Sequence, residues 1–158
     1  MLTIYVDADA CPVKDEVYRV ARRYAMRVVV VANSPLRVPK DPMIELVVRT
    51  EVGLNIVDDW IAEQSGPGDI VITADIPLAA RCLKKQACVL DGKGRTFTED
   101  RIGESLAMRE LLDGLRQTGE VTGGPAPMSP RDRSRFLSTL DETINSIKRK
   151  HRGKTTER

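Results

Sequence analysis

Histidine occurs once in this chain, as His151, and the three cysteines, Cys11, Cys82 and Cys88, form no C-x-x-C pair. That leaves neither a His/Cys zinc set nor a disulfide framework, and a reducing compartment is the expectation. Aromatic residues make up only 4% of the chain, which argues against a single-strand binder that reads sequence by stacking many bases. Apolar runs are short, as at residues 28–32 and 70–72, far below the roughly 20 residues that span a bilayer. Residues 1–6 enter a strand-like segment without a basic stretch before it. The expectation is therefore a cytoplasmic protein with no signal peptide and no membrane partner.

What is present is ordinary for a globular domain: 41% hydrophobic and 30% charged residues in 158, enough for one core without staples. The net charge of +2 conceals an uneven distribution. Residues 1–124 hold 16 Lys+Arg and 19 Asp+Glu, while residues 125–158 hold 9 and 4. A basic end of this kind is either a solvated face or a contact for a polyanion.

Apolar periodicity alternates between strand and helix. Strands are expected at residues 2–6, 27–32, 44–48, 69–73 and 87–90. Helices are expected at 13–25, 54–64, 75–85 and 102–117. Pro12 suits the first turn of the first helix, and residues 92–98 read as a loop. Strands alternating with helices predict a three-layer α/β/α architecture with a mostly parallel sheet. Residues 119–130 are rich in Gly and Pro and read as a linker. Residues 131–150 form an amphipathic basic helix whose apolar face is Phe136, Leu137, Leu140, Ile144 and Ile147, expected to pack on the same domain. Residues 151–158 are expected to be disordered. Arrangement in domains is thus 1–118, the linker and the helix.

Open parallel sheets bind ligands beyond the carboxyl ends of their strands. Three expected strands end at or near an aspartate: Asp7 with Asp9 two residues on, Asp75, and Asp91. Converging carboxylates repel each other unless a cation compensates, and hard oxygen ligands suit Mg²⁺ or Mn²⁺. Each acid also has a structural reading. Asp9 and Asp75 are natural helix caps, and Asp91 before Gly92 is a natural turn residue. On the second helix, Leu54, Ile56, Val57, Trp60 and Ile61 define an apolar face. At 100° per residue Asp59 points away from it and Asp58 lies at its border, so Asp58 is the acid expected to face the others.

The segment Tyr5-Val6-Asp7-Ala8-Asp9-Ala10-Cys11-Pro12-Val13-Lys14 resembles the signature of the YaiI/YqxD family of bacterial proteins. So do residues 52–59 (VGLNIVDD), 72–79 (ITADIPLA) and 127–136 (PMSPRDRSRF). The resemblance spans nearly the whole chain and implies a PIN-like domain. PIN-like nucleases carry an Asp after the first strand, an acid on a central helix, an Asp in a Thr-x-Asp turn and one after the next strand. Asp7, Asp58, Asp75 and Asp91 take those places. The resemblance implies metal-assisted phosphodiester hydrolysis, RNA ahead of DNA, with Asp7, Asp9, Asp58 and Asp75 as candidate metal ligands. Lys14, Arg131, Arg133 and Arg135 are the candidate nucleic-acid contacts.

Two other readings compete. A haloacid-dehalogenase-like phosphatase would use Asp7 as nucleophile and Asp9 as acid, but Cys11 stands where its motif has Thr or Val. A non-catalytic RNA-binding module would rely on the arginines of the last helix. Cys11 near a helix N-terminus is read as a packed or modestly reactive thiol, since no histidine adjoins it in sequence.

Overall fold

Continuous β-branched sequence builds the centre of this protein. In the computed structural model, residues 2–8, 11–53, 55–104 and 128–156 are described, the last six by backbone alone. β1 (Thr3–Asp7) is buried along its whole length, and β2 (Arg27–Ala32) is buried after its first residue. Such strands are covered on both faces, as parallel strands must be. β3 (Ile44–Val48), β4 (Ile70–Ile72) and β5 (Cys88–Leu90) complete a five-stranded parallel array. The sheet order is β3-β2-β1-β4-β5-β6, with β1 and β4 at the centre.

Side-chain alternation divides the core in two. Ile4, Val6, Val28 and Val30 point to one face, where α1 (Lys14–Arg23) contributes Val17, Val20 and Ala21. Tyr5, Val29, Val31, Val71 and Val89 point to the other, under α2 (Ile56–Gln64) and α3 (Ile76–Lys84). The result is the three-layer α/β/α, PIN-like arrangement expected from the sequence. α4 begins at residues 99–104, and Ile102 joins the second core. The rest of the expected fourth helix, and the expected linker up to residue 127, lie outside the described residues.

The basic C-terminal segment is α5 (Pro130–Thr156). It begins inside the expected linker because Ser129-Pro130-Arg131-Asp132 forms a reciprocal cap. Asp132 N–H donates to Ser129 Oγ at 3.1 Å and Ser129 N–H donates to Asp132 Oδ2 at 3.0 Å. Its backbone is helical through Thr156. Phe136, Leu140 and Ile144 are fully buried against α1 and the sheet. Each contributes about 1.5–3 kcal/mol by burial, so α5 belongs to the domain core.

The segment expected to be a loop after β5 contains a short strand, β6 (Thr96–Phe97), antiparallel to β5. Two residues carry no readable period. The turn before it requires glycine at one point. Gly94 has φ of +82°, and a Cβ there would come within 2.9 Å of the Arg135 backbone. The hairpin thus packs directly on the first turns of α5.

Candidate active site

The order of the parallel strands reverses between β1 and β4, which makes their carboxyl ends the crevice of the sheet. Asp7 closes β1. Thr3, Tyr5 and Asp7 share one face by alternation, so Asp7 emerges on the side covered by α2 and α3. It is 5% exposed. A carboxylate so buried needs donors. Thr73, the residue after β4, lies beside it because Val6 pairs with Ile72. The Thr73 hydroxyl donates to Asp7 Oδ2 at 2.9 Å and accepts the Asp75 N–H at 3.0 Å.

Asp75 caps α3: its Oδ1 accepts the Leu78 N–H at 2.8 Å. The structural reading of Asp75 is therefore realised, and the carboxylate still lines the same cleft as Asp7. Asp58, in the first turn of α2, lines it too and is half-buried. Its carboxyl is pushed up to about 6, first by burial, then by the charges of Asp75, Asp7 and Asp59, with Arg81 acting in the opposite sense. Asp59 points outward and pairs with Arg81 at 2.6 Å. The helical-wheel choice between the two acids agrees with this geometry.

The other walls come from residues that a search for acids passes over. Asn33 follows β2, and Arg49 follows β3, with its N–H donating to the Ala32 carbonyl at 2.9 Å. Glu51, Gly53 and Asn55 line the approach to α2. Asn55 holds a left-handed conformation with φ of 64° and gives α2 no side-chain cap. Asparagine tolerates that region better than other side chains, and strained backbone tends to occur at functional sites. Arg49 Nη2 lies 2.7 Å from Glu51 Oε1, while its buried Nε has no hydrogen-bond partner. The cleft has a volume of about 540 Å³.

Other expected site residues fall elsewhere. Asp91 does not line this cleft. Its Oδ1 accepts the N–H groups of Lys93 and Arg95, both at 2.9 Å, so it shapes the hairpin turn. Asp9 lies outside the described residues. Lys14 Nζ donates to the Cys11 carbonyl at 3.0 Å. Arg133 Nη1 donates to the Pro12 carbonyl and to Glu16 Oε1, each at 3.2 Å. Neither Arg131 nor Arg135 lines the cleft, although both are exposed. Cys11 is buried, and burial pushes its thiol up to about 11, which leaves a packed thiol and not a reactive one.

The cleft offers oxygen donors and no imidazole or thiol, the donor chemistry of a hard divalent cation. Burial raises the Asp58 carboxyl most and the neighbouring acids Asp75, Asp7 and Asp59 add to it, so positive charge in the cleft would favour its ionised form. Among the described residues, however, no three His, Cys, Asp or Glu side chains stand grouped closely enough to hold an ion.

Fold and cleft together define an α/β protein with an acidic crevice at the switch point of a parallel sheet. The chain belongs to the YaiI/YqxD family, described as "Uncharacterized BCR, YaiI/YqxD family", whose profile matches residues 5–146. It is 57% identical over 148 residues to a UPF0178 protein of Bradyrhizobium sp. (strain ORS 278), covering 94% of this chain and 90% of the relative. To a UPF0178 protein of Rhodopseudomonas palustris (strain TIE-1) it is 57% identical over 152 residues, covering 96% of each. No solved structure matches it. Among the described residues no helix is long and apolar enough to cross a membrane.

Proposed function

We propose that this protein is a divalent-metal-dependent phosphodiesterase acting on nucleic acid, with RNA ahead of DNA as substrate. One observation carries the reading. Three carboxylates from three separate elements (Asp7 of β1, Asp58 of α2 and Asp75 at the start of α3) line one cleft at the topological switch point. Caps and turns explain acids one at a time; they do not explain why Asp58 sits half-buried among like charges at a cost to its own ionisation.

In this reading Asp7 and Asp75 would be the principal ligands, and Asp58 would complete the set only by moving closer to them than it stands here. A divalent cation held by these residues would supply positive charge toward phosphate oxygens and lower the pKa of a bound water. The rest is done by the chain. The Thr73 hydroxyl fixes the Asp7 carboxylate by its 2.9 Å hydrogen bond. The cap to Leu78 fixes Asp75. The Asp58 carboxyl is raised to about 6 by burial and then by its acidic neighbours, so positive charge entering the cleft would favour its ionised form. Asp91 has no part in this set, since its carboxylate is committed to the turn.

The test is cleavage of end-labelled RNA and DNA oligonucleotide pools with Mn²⁺ and with EDTA. Cleavage by the wild type in Mn²⁺, absent in EDTA and abolished in Asp7→Asn, is expected. Persistence of full cleavage in Asp7→Asn would rule out this site.

A further inference from the structure

A second cleft, of about 230 Å³, opens beside the acidic one and shares Ala74 and Ile76 with it as a common wall. Its remaining lining is Asp91, after β5, then Arg95, Thr96 and Phe97 at and just before β6, and Arg101 at the start of α4. These arginines are only lightly engaged. Arg95 is exposed, and its nearest carboxylate, Asp91, stands 4.0 Å away. Arg101 Nη1 donates to the Thr96 carbonyl at 3.2 Å and makes no ion pair among the described residues. Phe97 is half-buried, packs against the second core and contributes to the cleft lining.

Cations therefore flank the carboxylates on both sides along the sheet edge. Arg49 follows β3, the acids stand at β1 and β4, and Arg95 immediately precedes β6. Arg49 has a buried Nε without a partner, so its fork of donors is only partly used. Neighbouring strands lie about 4.8 Å apart, so the five intervals from β3 to β6 span roughly 24 Å. A single small phosphate ester does not reach from one cation group to the other. A polyanion laid across the strand ends does.

The geometry points to a single-stranded polynucleotide crossing the carboxyl edge of the sheet. Its phosphates are held by Arg49 on one side of the acids and by Arg95 and Arg101 on the other, and a base rests on Phe97. This inference takes its direction from the phosphodiesterase reading but concerns binding, which is measurable without turnover. It replaces the arginines of the C-terminal helix, which the sequence suggests, with arginines on the rim of the cleft. Phosphate contacts set register, and one aromatic platform tolerates any base. RNA and DNA single strands share this chemistry.

Fluorescence anisotropy with labelled single-stranded RNA and DNA 12-mers tests it, on Asp7→Asn protein and on the wild type in EDTA, across a salt series. Arg49→Ala and the double variant Arg95→Ala/Arg101→Ala should each weaken binding. Each should also lower the salt slope by about 0.7 for every phosphate no longer neutralised. Phe97→Leu should weaken binding without changing the slope. Arg22→Ala/Arg27→Ala, exposed changes at the amino edge of the sheet, should leave both quantities unchanged and so control for net charge. Unchanged affinity and slope in the rim variants, an equal loss of affinity in the amino-edge control, no single-strand binding, or duplex bound as tightly as single strand would each overturn the inference. Protein that binds in this pattern but cleaves nothing supports the track and ends the phosphodiesterase reading. Protein that cleaves with Mn²⁺ while the rim variants bind normally does the reverse.

Discussion

Replacing Asp58 by Asn should make the metal-free protein more stable at pH 7.5 and leave it unchanged at pH 4. The Asp58 carboxyl lies at about 6 in the folded protein against 3.8 for an unperturbed aspartate. In the unfolded chain it ionises near the lower value. Between these values the folded state binds the extra proton, so stability falls as pH rises through this window, and the penalty is complete above about pH 6. At 1.36 kcal/mol per unit the full shift corresponds to about 3 kcal/mol. Asp58 is half-exposed, and solvent screening reduces that to roughly 1 kcal/mol. For a domain of this size the gain is about 2–4 °C in Tm. The dipole of α2 works in the other direction, favouring a carboxylate in its first turn by about 0.3–1 kcal/mol. Circular-dichroism melts in EDTA at low salt, at pH 4 and pH 7.5, measure the balance. An Asn variant less stable at pH 7.5, or equally stabilised at both pH values, would show that burial and the neighbouring carboxylates do not raise the Asp58 carboxyl in the folded protein.

Three further changes probe the same site and the helix behind it. Thr73→Val removes the donor to Asp7 and the acceptor for the Asp75 N–H, and should cost about 1–3 kcal/mol in chemical denaturation. Asp75→Asn keeps the cap on Leu78 whereas Asp75→Ala removes it, so the Asn form should be the more stable by about 1 kcal/mol in the same assay. Leu140→Ala empties a fully buried position on α5 and should cost about 2–5 kcal/mol; a cost near zero would return α5 to the status of a tail.

Sequence reading succeeds here where burial leaves a pattern long enough to see. The run Val28–Val29–Val30–Val31 admits little besides a strand covered on both faces, and it is one. Asp58 and Asp59 separate on a helical wheel because α2 has a real apolar face, with Val57 and Ile61 buried. β6 fails the same test because two residues have no period. Asp91 shows the limit of the strand-end rule. Position brings it to the sheet edge, yet its neighbours' N–H groups claim the carboxylate. Asn33 and Arg49 show the converse, since the rule concerns where strands end and says nothing about residue type. Applied to every strand, and not only to those that end in acids, it finds both.

Whether the carboxylates of Asp7, Asp58 and Asp75 form one divalent-cation site is open to direct measurement. Titration of Mn²⁺ into the protein at pH 7.5, followed by the decline of the free-ion electron paramagnetic resonance signal, tests it without assuming any substrate. Saturable binding by the wild type is expected, weakened in Asp58→Asn and abolished in Asp7→Asn while both variants retain the wild-type circular dichroism. Mn²⁺ bound equally by the wild type and Asp7→Asn, or by neither, would contradict a shared site.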